Sequence, residues 1–259
     1  MGAEAINDAI LYELRDQVAI ITINRPDRRN AINIDVRQGL YKAWERFEKD
    51  EAAKVAILTG AGDKAFCAGM DLKEAAGTGI KIPPRGFVPT IGDSVQVSKP
   101  TIAAVNGFAM AGGWLLSQQC DLCVAADHAT FAISEAKVGR GTPWATPLIH
   151  MLPQRVLMEV LMTGDFISAQ RLYELGYVNK VVPVAQLMDE ALALANRIAA
   201  NAPLTVRAAR EMVYLATDMG RSAAIPAAVR LFDHVYLSED AQEGPRSFAE
   251  KRPPVWKGR

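Results

Sequence analysis

The sequence predicts an α/β core followed by a helical C-terminal region. Short strand-like apolar runs alternate with helical patterns up to about Thr146. Beyond that point strands become rare and helical stretches succeed one another. The length of 259 residues suits one large domain, or one domain with a small appendage, better than two full domains. The expected division is a core over residues 1–200 and a helical region over residues 201–259.

Ile10 to Leu14 and Val18 to Asn24 read as strands around the polar Arg15-Asp16-Gln17, a hairpin pattern. Asn24-Arg25-Pro26-Asp27 has turn chemistry. Asp35 is placed to cap a helix running to about Asp50, with Val36, Leu40, Ala43, Trp44 and Phe47 on one face. Val55 to Thr59 is a short buried strand that ends at Gly60-Ala61-Gly62. The small residues of Phe66-Cys67-Ala68-Gly69-Met70-Asp71 then lead into a short helix at about Leu72 to Ala76. Gly77 to Pro89 is rich in glycine and proline and reads as a mobile loop. Pro100 to Val105 is a strand, Gly112 to Gln119 a helix and Leu122 to Ala126 a strand. Helical patterns follow at Gln154 to Met162, Ala169 to Leu175, Val184 to Asn201, Leu204 to Thr217 and Ile225 to Leu237. Val178 to Val182 is the last clear strand, and no repeat of fixed period is visible.

Composition narrows the function classes. The apolar fraction of 50% and charged fraction of 22% are those of an ordinary globular protein. A formal net charge of zero argues against general affinity for nucleic acid or an anionic membrane. No apolar run reaches the roughly 18 residues that span a bilayer, and the first residues lack a basic start and an apolar signal core. A cytoplasmic location is the expectation. Three cysteines, Cys67, Cys120 and Cys123, are an odd number for a disulfide framework. The C-x-x-C of Cys120 and Cys123 has only Cys67 and His128 nearby as further ligands, so small core residues are expected there, not a metal site.

Two segments share one logic: strand, small-residue turn, helix. They are Phe66 to Leu72 and Val105 to Leu116. The first N–H groups of a helix have no partner inside it and, aided by the helix dipole, suit an oxyanion. Gly112 and Gly113 permit close backbone approach. If the two turns face each other, two N–H groups converge on one carbonyl oxygen. One carboxylate, Glu135, follows at a distance, while Leu115 sits one helical turn in, where a second acid would complete a pair.

NRPDRRNAI (Asn24 to Ile32), AFCAGMDLKE (Ala65 to Glu74), KPTIAAVNGFAMAGG (Lys99 to Gly113) and CDLCVAADHATFAISEAKVG (Cys120 to Gly139) carry a family resemblance. TGDFISAQRLYELGYVNKVVP (Thr163 to Pro183) and FAEKRPPVWKG (Phe248 to Gly258) extend it. In order and spacing they resemble the crotonase superfamily, the enoyl-CoA hydratase/isomerase family, along nearly the whole chain. The resemblance implies the ClpP/crotonase-like spiral of ββα units, with a C-terminal helical region that assembles trimers or dimers of trimers and completes the CoA site. It implies an acyl-CoA thioester as substrate and no cofactor besides the CoA the substrate carries.

The resemblance also implies roles. The backbone N–H groups of Met70 and Gly112 would form the oxyanion hole, with Gly113, Trp114 and Leu115 beside the acyl group. Ala68, Gly69 and Asp71 would receive the adenine, with Lys73 near phosphates and Arg28 on the pantetheine and phosphate path. Phe232 and Lys251 would reach the CoA end, from a neighbouring subunit. Glu135 would move the proton. Family hydratases commonly place two glutamates around one water; here the first position is Leu115. The glycine pair common after the second glutamate is replaced by Gly139-Arg140-Gly141-Thr142-Pro143-Trp144. Arg140 is a candidate partner for Glu135 or for a polar acyl end, and Trp144 a candidate wall of the acyl pocket. One carboxylate suits Δ3-Δ2-enoyl-CoA isomerase chemistry, while the family label is enoyl-CoA hydratase. C–C bond hydrolysis or decarboxylation of a substituted acyl-CoA, and acyl-CoA binding without turnover, are the alternatives.

Overall fold

The computed structural model describes every residue except Met1, Leu72, Ala75, Ala76 and Thr78. Its larger sheet has the strand order β1-β2-β3-β4-β6-β8-β11. These strands are β1 (Glu4–Asn7), β2 (Ile10–Arg15), β3 (Val18–Ile23), β4 (Val55–Gly60), β6 (Thr101–Val105), β8 (Leu122–Ala126) and β11 (Lys180–Val182). β1 to β3 run antiparallel and β3 to β11 parallel. β4 and β6 are buried at every residue, as strands covered on both faces must be. Their apolar runs are therefore continuous, not alternating.

A second sheet has the order β10-β9-β7-β5. Its strands are β5 (Ala65–Cys67), β7 (Phe108–Met110), β9 (Thr130–Ala132) and β10 (Ile167–Ser168). β5, β7 and β9 are parallel to one another. Each follows a strand of the larger sheet and precedes a helical turn, so the chain repeats strand, short strand, helix. The units begin at Val55, Thr101 and Leu122, an uneven spacing that hides the repeat from a search for fixed period.

Two buried asparagines fix the turn from β4 to β5. Asn30 accepts from Arg25 N at 2.9 Å and donates to the carbonyls of Ala61 at 3.0 Å and Ala65 at 2.7 Å. Asn106 accepts from Gly60 N at 3.2 Å and donates to Gly62 O at 2.6 Å. Buried amides of this kind must be satisfied, and here the partners are the turn's own backbone.

The core lies on both faces of the larger sheet. One cluster packs β2, β4, β6 and the second sheet against helix Ile34–Lys49, through Val36, Leu40, Ala43, Trp44 and Phe47. A smaller cluster covers the other face with Leu187, Ala191, Ala195 and Ala199 of helix Leu187–Ala199. Helix Ile34–Lys49 is capped by Asn33, which accepts from Val36 N at 3.0 Å. Asp35, the expected cap, instead accepts from Asn33 Nδ2 at 2.9 Å in the first turn, where its charge still suits the helix dipole.

The C-terminal region is helical: Pro203–Asp218, Arg221–Leu231, Asp233–Tyr236 and Glu239–Ala249. The helix expected over Ile225 to Leu237 is two helices that meet at Phe232, and the first tolerates Pro226 inside it. Helix Glu239–Ala249 was hidden by Gly244 and Pro245. Its start is marked by Ser238, whose hydroxyl accepts from Ala241 N at 3.1 Å, and by the acidic Glu239 and Asp240. Asp121 ties this region to the sheet. It accepts from Thr101 N at 2.8 Å, Arg210 Nε at 2.8 Å and Tyr214 OH at 2.7 Å.

The short helix expected at Leu72 to Ala76 falls largely outside the described residues, although Lys73 and Glu74 are helical. The Gly77 to Pro89 segment lacks strand structure among its described residues. Tyr41 OH donates to Gly86 O at 2.6 Å, and the Arg37 guanidinium lies 4.1 Å from the centre of the Phe87 ring, so the segment is anchored on helix Ile34–Lys49.

Candidate active site

Three parallel strands of the second sheet end at one edge, and each is followed by a residue of the expected constellation. β5 leads to Met70, β7 to Gly112 and β9 to Glu135. The ladder is continued past the strands, because Ala111 N donates to Ala132 O at 2.8 Å. The parallel register thus brings together residues far apart in sequence.

The first two turns abut. A Cβ built on Gly69, whose φ is +86°, would stand 3.0 Å from Met110 O, 3.1 Å from Ala111 Cβ and 3.6 Å from Gly112 N. Met70 is bridged to Ile32: Ile32 N donates to Gly69 O at 2.8 Å, and Asp71 N donates to Ile32 O at 2.9 Å. Successive N–H groups of an extended segment point to opposite sides. The Met70 N–H therefore points away from Ile32, while Gly112 opens its helix with an N–H that has no partner within it.

Gly113 holds helix Gly112–Gln118 against β5, since its own Cβ would lie 2.0 Å from Cys67 O. Ala111, which precedes the helix, has φ 49° and ψ −114°, a conformation that glycine adopts without cost and alanine does not. Such strain stores about 1–3 kcal/mol. An Ala111→Gly change forfeits about 0.4–1 kcal/mol through the freer unfolded chain. The net expectation is a gain of about 1 kcal/mol, read as a higher urea midpoint at unchanged slope. A lower midpoint would show that the alanine conformation is not strained.

Leu115 follows Gly112 by three residues and so shares its helical face. It is only 5% exposed yet belongs to neither core cluster, unlike its neighbours Trp114 and Leu116. It brings no charge to that face. Trp114, expected beside the acyl group, turns the other way. Its ring is fully buried, 5.3 Å from that of Phe131 and 5.8 Å from that of Tyr177, so it is part of the core.

Glu135 opens the short helix Glu135–Val138. Its Oε1 accepts from Trp144 Nε1 at 3.1 Å. Its Oε2 is buried and has no hydrogen-bond partner among the described residues. Burial raises the carboxyl above its ordinary range, against the smaller opposing effects of its own backbone N–H and the Trp144 indole. Arg140, considered as a partner for the carboxylate, meets Glu135 only through the backbone, its N–H donating to Glu135 O at 3.0 Å. Its side chain is exposed and makes no ion pair with Glu135 among the described residues.

The residues expected around the CoA carrier fall on one surface in part. Asp71 pairs with Arg25 at 3.2 Å, and Arg25 also donates to Ala31 O at 2.6 Å, which fastens the Asn24 to Ile32 segment to the Met70 turn. Burial alone would raise the Asp71 carboxyl; hydrogen bonds from Arg25 and from the Glu74 and Lys73 backbone outweigh it and hold the carboxyl low. Glu74 accepts from Ile34 N and from Arg37, both at 2.9 Å, and so serves the start of helix Ile34–Lys49. Arg28 and Lys73 are exposed beside these groups, and Ala68 and Gly69 line the turn itself. Phe232 and Lys251 lie apart in the C-terminal region, with local backbone bonds to Ala228 and Phe248.

Sequence reasoning missed the roles of Ile32, Gln118 and Trp144. Gln118 Nε2 donates to Trp144 O at 2.6 Å, and no periodicity or spacing announces either contact. The three cysteines are buried thiols. Burial pushes Cys67 and Cys123 up to about 12 and Cys120 well above its ordinary value, so none is poised for thiolate chemistry.

Comparison with known proteins identifies the family. The sequence profile of the family Enoyl-CoA hydratase/isomerase matches residues 13–259. Enoyl-CoA hydratase EchA19 of Mycobacterium tuberculosis is 38% identical over 96% of this chain and 96% of its own length. Carnitinyl-CoA dehydratase of Proteus mirabilis is 38% identical over 95% of this chain and 97% of its own. The crystal structure of enoyl-CoA hydratase EchA1 from Mycobacterium marinum superposes with a TM-score of 0.91 at 39% identity, covering 98% of this chain and 100% of that one. With the profile, the sequence relatives and the fold in agreement, the chain is an acyl-CoA enzyme of the enoyl-CoA hydratase/isomerase family, in the crotonase superfamily.

Proposed function

We propose that this enzyme transfers protons on an unsaturated acyl-CoA through one carboxylate, as a Δ3-Δ2-enoyl-CoA isomerase does. The thioester oxygen accepts hydrogen bonds from Met70 N–H and Gly112 N–H, which makes the C2 proton more acidic. Glu135 Oε2 removes that proton from a 3-enoyl thioester. The electron pair spreads over the enolate and onto the thioester oxygen. Protonated Glu135 then returns the proton to C4, which leaves the 2-enoyl product. One group suffices for both transfers, and its raised pKa suits a carboxyl that must both take and give a proton.

The observation that carries this reading is a buried Glu135 Oε2 with no hydrogen-bond partner among the described residues, in a chain whose other expected acid position is the aliphatic Leu115. An aliphatic side chain neither holds nor deprotonates a water. Arg28, Ala68, Gly69, Asp71 and Lys73 bind the nucleotide end of CoA, with Gly113 and Leu115 beside the acyl group. Phe232 and Lys251 reach the site from a neighbouring subunit of a homotrimer or dimer of trimers. Exposed Val213, Ile225, Val229, Leu237 and Phe248 on the C-terminal helices support such an assembly. The reaction needs no cofactor beyond the substrate's own CoA. The three free, buried thiols fit a reducing, cytoplasmic setting.

The relatives named as hydratase and dehydratase favour a second reading, reversible water addition with Glu135 as sole carboxylate. Incubation with 2-enoyl- and 3-enoyl-CoA of several chain lengths in deuterated water separates the two. The expected result is interchange of the two isomers, with deuterium at C2 and C4, and loss of both in Glu135→Gln. Hydration through Glu135 without isomer interchange would establish the second reading instead. Tight CoA-ester binding with no deuterium uptake from any ester would leave a binding protein and end the enzymatic account.

A further inference from the structure

Trp144 has no assigned part in the chemistry above, yet it makes the one side-chain hydrogen bond to the Glu135 carboxylate among the described residues. We infer that Trp144, clamped by Gln118, is a positioning residue that aims Glu135 and leaves a single oxygen free to act. The inference rests on the role proposed for Glu135.

The clamp is a chain of short contacts. Leu115 and Gln118 stand three residues apart on helix Gly112–Gln118 and so lie on adjoining positions of one face. Gln118 is 5% exposed and grips Trp144 O at 2.6 Å. Pro143 at the start of the following 3-10 helix, Pro143–His150, sets the backbone just before Trp144. The Trp144 indole then meets Glu135 Oε1 at 3.1 Å. The helix that offers the Gly112 N–H is thereby connected to the base through two side chains, which ties the position of the base to that of the oxyanion site.

The chemistry of indole suits this task. It has one N–H and no acceptor, so it can orient a carboxylate without taking the proton that the carboxylate must carry. With Oε1 occupied, only the buried Oε2 remains for substrate. The bond also favours the ionised carboxylate and opposes the effect of burial. Other charged groups on the neighbouring elements are Lys137, Arg140, His150, Arg155, Glu159 and Asp165. Lys137 is paired with Asp165 at 2.7 Å, and none bonds to the Glu135 carboxylate among the described residues. The indole is the one polar side chain that bonds to it among the described residues.

Two variants test this: Trp144→Phe, and a chain with benzothienylalanine at position 144, where sulfur replaces the N–H at nearly unchanged shape. Two readouts are needed. One is the infrared carboxyl titration of Glu135, assigned by subtraction of Glu135→Gln, which requires no turnover. The other is the pH profile of kcat/KM. Both variants are expected to move the Glu135 midpoint and the acidic limb of the profile to higher pH. The expected fall in kcat is about tenfold to a hundredfold, the range for loss of a hydrogen bond to a charged group, with KM changed less than about twofold. A lower kcat with midpoint and limb unmoved, or an unchanged kcat, would overturn the inference and leave Trp144 a packing residue. If wild type turns over no acyl-CoA, the proposed function fails, while the infrared midpoints still decide whether Trp144 governs Glu135.

Discussion

Glu135→Gln lowers the rate of proton transfer about 10²–10⁴-fold, the range that a positioned acid–base group contributes. Acyl-CoA affinity stays within about twofold, because the amide keeps the shape and the oxyanion N–H groups are untouched. The same change is expected to stabilise the fold near neutral pH. Burial holds the Glu135 carboxyl above its ordinary value of 4.5. The folded chain therefore keeps this proton more tightly than the unfolded chain. The resulting stability is complete below the unfolded pKa and is lost as pH rises through the folded one. Glutamine removes that loss, so the gap in Tm between variant and wild type should widen as pH rises from acid to neutral. A gap independent of pH would mean that the buried carboxylate costs the fold nothing, and a variant of normal activity would remove Glu135 from the chemistry.

Gly113→Ala is the substitution with the largest expected structural cost. The new methyl would stand 2.0 Å from Cys67 O and 2.9 Å from Cys67 C. Both atoms belong to the backbone of β5, which has no rotamer to change. Overpacking typically costs about 1–3 kcal/mol, and a clash with the backbone should fall at or beyond about 3 kcal/mol. Gly112→Ala is the control, since its methyl meets the tip of Ile32, with Cδ1 at 2.8 Å, and otherwise stands at ordinary contact distance from Gly69, 3.7 Å from its Cα. That side chain can rotate, so a loss below about 1 kcal/mol is expected. Urea unfolding of the two variants measures the difference. Equal losses would show that helix Gly112–Gln118 is not held by close approach to β5.

The larger sheet was legible because its parallel strands are continuous apolar runs such as Val55 to Thr59 and Leu122 to Ala126. The second sheet was not. β5, β7 and β9 have three residues each, too few to display an alternation, and their pairing partners are remote in sequence. The glycine turn at Gly112 and the carboxylate at Glu135 could be read as residue types in sequence. Their meeting depends on the register of β7 with β9, which no local pattern encodes. Trp114 and Trp144 looked alike as aromatic candidates. Burial separates them, one in the core with Phe131 and Tyr177, the other bonded to Glu135. The Asn33 cap was passed over for Asp35 because two residues with capping chemistry stand close together, and only the bond to Val36 N decides between them.

The ratio of isomerised to hydrated product tests the one-carboxylate account most directly. It should be measured on wild type and on Leu115→Glu with the same enoyl-CoA. Wild type is expected to yield more isomer than hydrate, and Leu115→Glu to shift the ratio toward hydrate by supplying a second carboxylate on the face shared with Gly112. A wild-type enzyme that forms hydrate faster than isomer, with both lost in Glu135→Gln, would contradict the account.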